Sequence, residues 1–158
     1  MATMQINIGD HTSTQAGYIA FPQRHRGTIQ WARRKAQWIT RNKPAADRYF
    51  QGLPGGRSLR TLLADNTIWI NYHPTMNAYG ETNFVGGKEI AISNTAFRWG
   101  RWTVLGTLIH ELAHSNGAPG GTDKSAERAL VACGLGRRSE QTTGVDDPQT
   151  PFDPDIEG

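Results

Sequence analysis

The chain has 158 residues, a formal net charge of +3, 37% hydrophobic residues and 20% charged residues. This length suits one domain with its own core, and the composition excludes collagen-like and largely disordered chains. No apolar run is long enough to cross a bilayer, so we expect no membrane span. The single cysteine, Cys133, excludes an internal disulfide and a cysteine-rich metal site.

Charge is unevenly distributed along the chain. Residues 137–158 contain six acidic residues and two arginines, which leaves 15 of the 17 basic and 8 of the 14 acidic residues in 1–136. We therefore predict a basic domain over 1–136 and an acidic, flexible tail over 137–158. The basic part has no nucleic-acid-binding signature, so we expect no nucleic-acid partner, and we expect a monomer.

The hydrophobic pattern predicts both helices and strands. A polar arm or short strand covers the first 25 residues, and the helical repeat of Ile29, Ala32, Ala36 and Ile39 predicts a helix over 28–42. The other predicted elements are short helices over 45–50 and 58–64, strands over 67–72 and 87–93, a helix over 102–115, and a helix from 122 or 123 to about 133. Together they predict an α+β fold with a backing helix and a short mixed or antiparallel sheet.

The helix predicted over 102–115 contains a His-Glu-x-x-His pattern at His110, Glu111 and His114. Residues four apart lie on one helix face, so both imidazoles can reach the same metal ion. Glu111 projects about 100° away, beside the metal, where it can act as the general base for a metal-activated water. The pattern therefore predicts a zinc hydrolase with one zinc ion per chain.

The third ligand is less clearly specified by the residues. A catalytic zinc ion usually has three protein ligands and one open position. Two nearby carboxylates, Asp123 and Glu127, are four apart and can share one helix face. Asp123 beside a Gly-Gly-Thr turn is a natural N-cap, whereas Glu127 lies inside the helix between Ala126 and Ala129, which allow close helix packing. We favour Glu127, with Asp123 as the alternative and His73 as a more distant candidate.

The stretch 110–134, HELAHSNGAPGGTDKSAERALVACG, resembles the zincin metallopeptidases. It is most similar to short peptidase domains that act as toxic effectors at the ends of bacterial Rhs, VgrG and other polymorphic toxin proteins. Those domains share the His-Glu-x-x-His pattern, a Gly-Ala-Pro-Gly-like turn, and a helix with Ala-Glu followed by Cys-Gly. The resemblance implies a gluzincin-like site with Glu127 as the third ligand. Aspzincins are also similar, with Gly and Asp where Gly120 and Asp123 lie, but their following Tyr-Gly is replaced by Ala126-Glu127.

The resemblance implies a small zincin-like domain that hydrolyses a peptide or protein substrate. It also implies a bacterial toxin delivered as part of a larger protein by type VI or another specialised secretion system, with a delivery protein and an immunity protein as partners. The first ten residues lack a secretory signal pattern, which agrees with such a route.

Zincins bind extended substrates along an edge strand before the metal helix, and the candidate strand is 88–93. Tyr79 and His73, near the loop before it, are candidates for an oxyanion-stabilising or substrate-binding role. Two other functions stay open from the sequence. One is a zinc amidase acting on peptidoglycan stem peptides, and the other is a non-enzymatic binding domain with a structural zinc.

Overall fold

The repeat of Ile29, Ala32, Ala36 and Ile39 forms the buried face of a 20-residue helix in the computed structural model, which describes residues 2–135. The helix begins at Gln23, five residues before the predicted start. The first turn of this helix was not predicted, because residues 23–27 contain no apolar residue that would extend the helical repeat. The predicted acidic tail, 137–158, lies outside the described residues.

The described residues form a small α+β domain with a four-stranded mixed sheet and six helices. Most elements lie within a few residues of their predicted positions. In chain order they are β1 (Gln5–Ile6), α1 (Gln23–Asn42), α2 (Pro44–Gln51), α3 (Leu59–Leu63), β2 (Trp69–His73), β3 (Gly80–Thr82), β4 (Glu89–Ser93), α4 (Asn94–Trp99), α5 (Arg101–Ser115) and α6 (Ser125–Ala132).

The strand order corrects one prediction. The order is β1-β2-β4-β3, with β1, β2 and β4 parallel and β3 antiparallel to β4. The strand predicted at the edge, 88–93, therefore lies inside the sheet as β4, and β3 is the edge strand beside it. β3 was missed because Gly80-Glu81-Thr82 is a short polar segment without the apolar alternation that marks a half-buried strand.

Helix α5 is the centre of the core and contacts α1, α4, α6, β3 and β4. Every residue from 103 to 113 is buried except His110, so the helix is apolar on nearly all sides. Gly106 lies against α6, where an added Cβ would be 3.2 Å from the Leu130 side chain. Ala126 and Ala129 of α6 are fully buried, so small residues on both helices allow their close approach.

A buried asparagine ends α5 and holds that end in place. Asn116 has no exposed surface, and its Nδ2 donates to the carbonyl oxygens of Phe50 and Arg57, both at 2.8 Å. Its Oδ1 accepts from the Arg57 amide, and its own carbonyl accepts from Gly55 at 2.8 Å. These bonds attach the C-terminal end of α5, which carries His114, to the loop after α2.

Within residues 2–135, no helix combines the length and apolar character that a bilayer span requires.

Candidate metal centre

His110 and His114 lie side by side on α5, as the spacing of four residues predicts. Their Nε2 atoms are 3.1 Å apart, and the rings meet at 72°. Two imidazole nitrogens bound to one zinc ion at tetrahedral angles are about 3.3 Å apart, given bonds of about 2.0–2.1 Å. The two rings therefore have nearly the spacing of two ligands of one ion.

The turn after α5 selects the ring nitrogen that His114 presents. Gly117 has φ +90°, and the chain reverses so that the Ala118 carbonyl lies 2.8 Å from His114 Nδ1. A carbonyl oxygen only accepts hydrogen bonds, so Nδ1 carries the proton and the neutral ring keeps its lone pair on Nε2. Metal-binding histidines commonly have such a partner on the second nitrogen.

His110 is held in the neutral form that metal binding requires. Burial lowers its pKa well below the usual value, the nearby His114 lowers it further, and the charge of Glu127 opposes both. Because only a neutral imidazole has a free lone pair, His110 is available as a ligand at neutral pH.

The two candidate third ligands lie in different environments. Asp123 is exposed, and its Oδ1 accepts a hydrogen bond of 2.7 Å from the Ser125 amide at the start of α6. Glu127 is partly buried, and its Oε2 is a buried oxygen with no hydrogen-bond partner among the described residues. Buried carboxylate oxygens are nearly always paired, so an unpaired one fits a site that a cation would complete.

Glu127 lies near the two histidines but does not form a compact metal-binding group with them. It is close enough for its charge to act on both His110 and Glu111. Across residues 2–135, however, no three His, Cys, Asp or Glu side chains are grouped closely enough to hold a metal ion.

Glu111 is buried one residue from the first histidine. Its side chain is held by Thr82 of the edge strand, whose hydroxyl lies 2.9 Å from Glu111 Oε1 and 3.1 Å from the Glu111 carbonyl oxygen. Burial raises the pKa of Glu111 from its usual 4.5 to about 7, although the Thr82 hydrogen bond lowers it in part. A carboxyl group with a pKa near neutrality is suited to accept and return a proton.

These side chains lie at a cleft between β3, the β3–β4 turn and α5. Gly80 is required there, because an added Cβ would be 2.5 Å from Thr107 and 3.3 Å from Glu111. The Gly86 amide donates to the His114 carbonyl at 2.9 Å and so holds the turn over the end of α5. The cleft encloses about 330 Å³ and is lined by Gly80, Glu81, Thr82, Phe84, Val85, His110, Glu111, His114 and Gly120.

The two candidates for an oxyanion or substrate role lie elsewhere. His73 ends β2, its Nδ1 accepts from the amides of Thr75 and Met76, and its ring packs edge-on to Tyr18. Tyr79 packs against the hydrophobic core. Neither side chain lines the cleft. Sequence reasoning missed Thr82, because nothing in a polar loop pattern indicates that its hydroxyl meets Glu111.

Comparisons with known proteins give no further guide to this site. No protein family model matches the chain, and neither a curated protein nor a solved structure matches it significantly.

Proposed function

We propose that the chain is a zinc-dependent peptidase, in which His110, His114 and Glu127 bind one zinc ion and Glu111 is the general base. The observation that carries the proposal is the 3.1 Å separation of the two histidine Nε2 atoms beside a buried glutamate in an open cleft. The unpaired Glu127 oxygen supports the choice of third ligand over the exposed, hydrogen-bonded Asp123.

The residues present suit hydrolysis at this position. A bound zinc ion would polarise the carbonyl of the scissile bond and make water more acidic. Glu111 accepts the proton of the attacking water and returns it to the leaving amine, for which a pKa near 7 is favourable. Thr82 holds Oε1 of this carboxylate, and the proposal assigns the proton to the other oxygen, Oε2. His114 stays oriented through its bond to the Ala118 carbonyl.

The edge strand gives the substrate a place to bind. Among the described residues β3 pairs with β4 alone, so its other side presents backbone groups without a strand partner beside the cleft. An extended peptide can pair with such an edge and cross the cleft in front of Glu111. This geometry favours a peptide substrate and a zincin-like arrangement. The delivery into target cells and the immunity partner rest on the resemblance of residues 110–134 to toxin peptidase domains.

The proposal is tested on the purified 158-residue chain. We expect about one zinc ion per chain by elemental analysis, cleavage of an unfolded protein substrate, loss of cleavage with a chelator, and recovery on adding zinc. Cleavage of muropeptides but not of proteins would instead favour an amidase acting on peptidoglycan. Zinc without hydrolysis of either substrate would contradict an enzymatic role.

A further inference from the structure

The charge of the cleft differs from that of the chain around it. The sequence pI is 9.3, yet the described residues that line the cleft include two acidic residues, Glu81 and Glu111, and no lysine or arginine. Two of the acidic groups near the metal centre have a role in the proposed function, since Glu111 and Glu127 together balance the two charges of a zinc ion. Glu81 has no role in that chemistry.

Glu81 projects from the edge strand on the side opposite the metal helix. Successive side chains of a strand alternate between the two faces, and Thr82 contacts Glu111 on the face toward α5. On the other face, the Tyr18 hydroxyl donates to Glu81 Oε1 at 2.8 Å. Tyr18 is only 5% exposed, whereas Glu81 is exposed. A buried tyrosine therefore fixes one oxygen of the carboxylate of an exposed residue.

The Tyr18 hydroxyl is a permanent donor, and no described cation neutralises Glu81. Burial and the bond to Glu81 both raise the pKa of Tyr18, so the hydroxyl keeps its proton at physiological pH. The ion pairs of the described residues involve Asp65 and Glu89 but not Glu81. The Tyr18 hydroxyl thus orients the carboxylate, which is exposed to a positive group from outside the described residues.

We propose that Glu81 is a specificity-determining residue that selects peptides with a lysine or arginine side chain opposite it on β3. A peptide strand paired with the free edge of β3 places one side chain directly across from Glu81, at the distance where opposite charges attract. The inference rests on the proposed function for the peptide's position along β3. Tyr18 is a positioning residue in this scheme, because it touches Glu81 and not the substrate.

The test begins with cleavage of a mixed peptide library by the zinc-loaded full chain, with the products identified by mass spectrometry. We expect lysine and arginine to be enriched at one position near the cleaved bond. For a peptide pair with Lys or Gln at that position, we expect kcat/KM to favour Lys by about fivefold, as for a partly exposed ion pair. Glu81→Gln is expected to bring this ratio close to one, and Tyr18→Phe to lower it in part.

Asp10→Asn is the matched control, because it removes one negative charge from an exposed residue outside the cleft. This variant should keep the Lys-to-Gln ratio of the wild type. The ratio is the informative readout, since a purely structural effect of Tyr18→Phe or Glu81→Gln would lower cleavage of both peptides alike. Equal cleavage of the two peptides by the wild type, or a preference that Glu81→Gln keeps, would overturn the inference.

Binding separates this inference from the proposed function. Labelled Lys and Gln peptides are titrated against Glu111→Gln, with and without Glu81→Gln, by fluorescence anisotropy. Preferential binding of the Lys peptide that depends on Glu81, together with no cleavage by the wild type, would support the proposed role of Glu81. The same result would contradict the proposed peptidase activity. Cleavage without any preference for the Lys peptide would support the peptidase activity and contradict the role of Glu81. If the chain shows no Lys-selective binding and no cleavage, both the role of Glu81 and the peptidase proposal are contradicted.

Discussion

Replacing Glu111 with Gln is expected to lower kcat for peptide cleavage by about 10²–10⁴-fold, the usual contribution of a general base. Zinc content should stay at about one ion per chain, because Glu111 lies beside the proposed ligands and is not one of them. The glutamine keeps the shape of the side chain and its contact with Thr82, but it cannot accept the proton of water. Steady-state kinetics and elemental analysis on the same preparation measure both effects.

The glutamine variant should also fold well, which makes a loss of activity interpretable. Burial raises the pKa of Glu111 from 4.5 to about 7 in the folded chain without metal, so folding favours the protonated carboxyl. The resulting cost to stability is absent below pH 4.5, grows up to about pH 7 and is fully present above it. In metal-free protein at pH 8, Glu111→Gln should therefore melt at the same temperature as the wild type or higher. Undiminished cleavage by this variant would contradict the general-base role.

Replacing Glu127 with Ala is expected to weaken zinc binding by more than about 100-fold, since even the loss of an outer-sphere partner costs about 10–100-fold. Asp123→Ala is the matched control, because it removes a carboxylate four residues earlier on the same segment. Asp123 is exposed and bonded to the Ser125 amide, so its loss should affect the start of α6 and not the metal.

The comparison is made by competition with a zinc chelator of known affinity. Cleavage activity at limiting zinc should follow the measured affinity in both variants. If Asp123→Ala loses zinc and Glu127→Ala keeps it, the assignment of Glu127 as the third ligand is wrong. Retention by both would point to a third ligand elsewhere; His73, the more distant candidate from the sequence, does not line the cleft.

The elements that the sequence predicted well depend on local repeats. The apolar positions of α1 recur at helical spacing, and His110 and His114 meet because four residues complete about one helical turn. Such patterns need no knowledge of the rest of the chain. The N-cap prediction for Asp123 was wrong by one residue, because the N-cap position of α6 is Lys124, although Asp123 Oδ1 accepts a hydrogen bond from the Ser125 amide.

The features that the sequence did not predict depend on distant contacts. β3 exists as a strand because it pairs with β4 and because Gly80 lets it approach α5, neither of which a three-residue polar segment reveals. The contact of Thr82 with Glu111 joins residues 29 positions apart, and that of Tyr18 with Glu81 joins residues 63 apart. Choosing β4 as the edge strand was wrong for this reason, because strand order is set by pairing across the whole sheet.

A crystal structure of the zinc-loaded chain, with anomalous diffraction at the zinc edge, tests the central claim most directly. We predict one anomalous peak within about 2.0–2.2 Å of His110 Nε2, His114 Nε2 and a Glu127 oxygen, with a fourth position open to the cleft. Glu111 should lie beside the ion without bonding to it. A peak away from the two histidines, or a site closed by four protein ligands, would contradict a catalytic zinc at this helix.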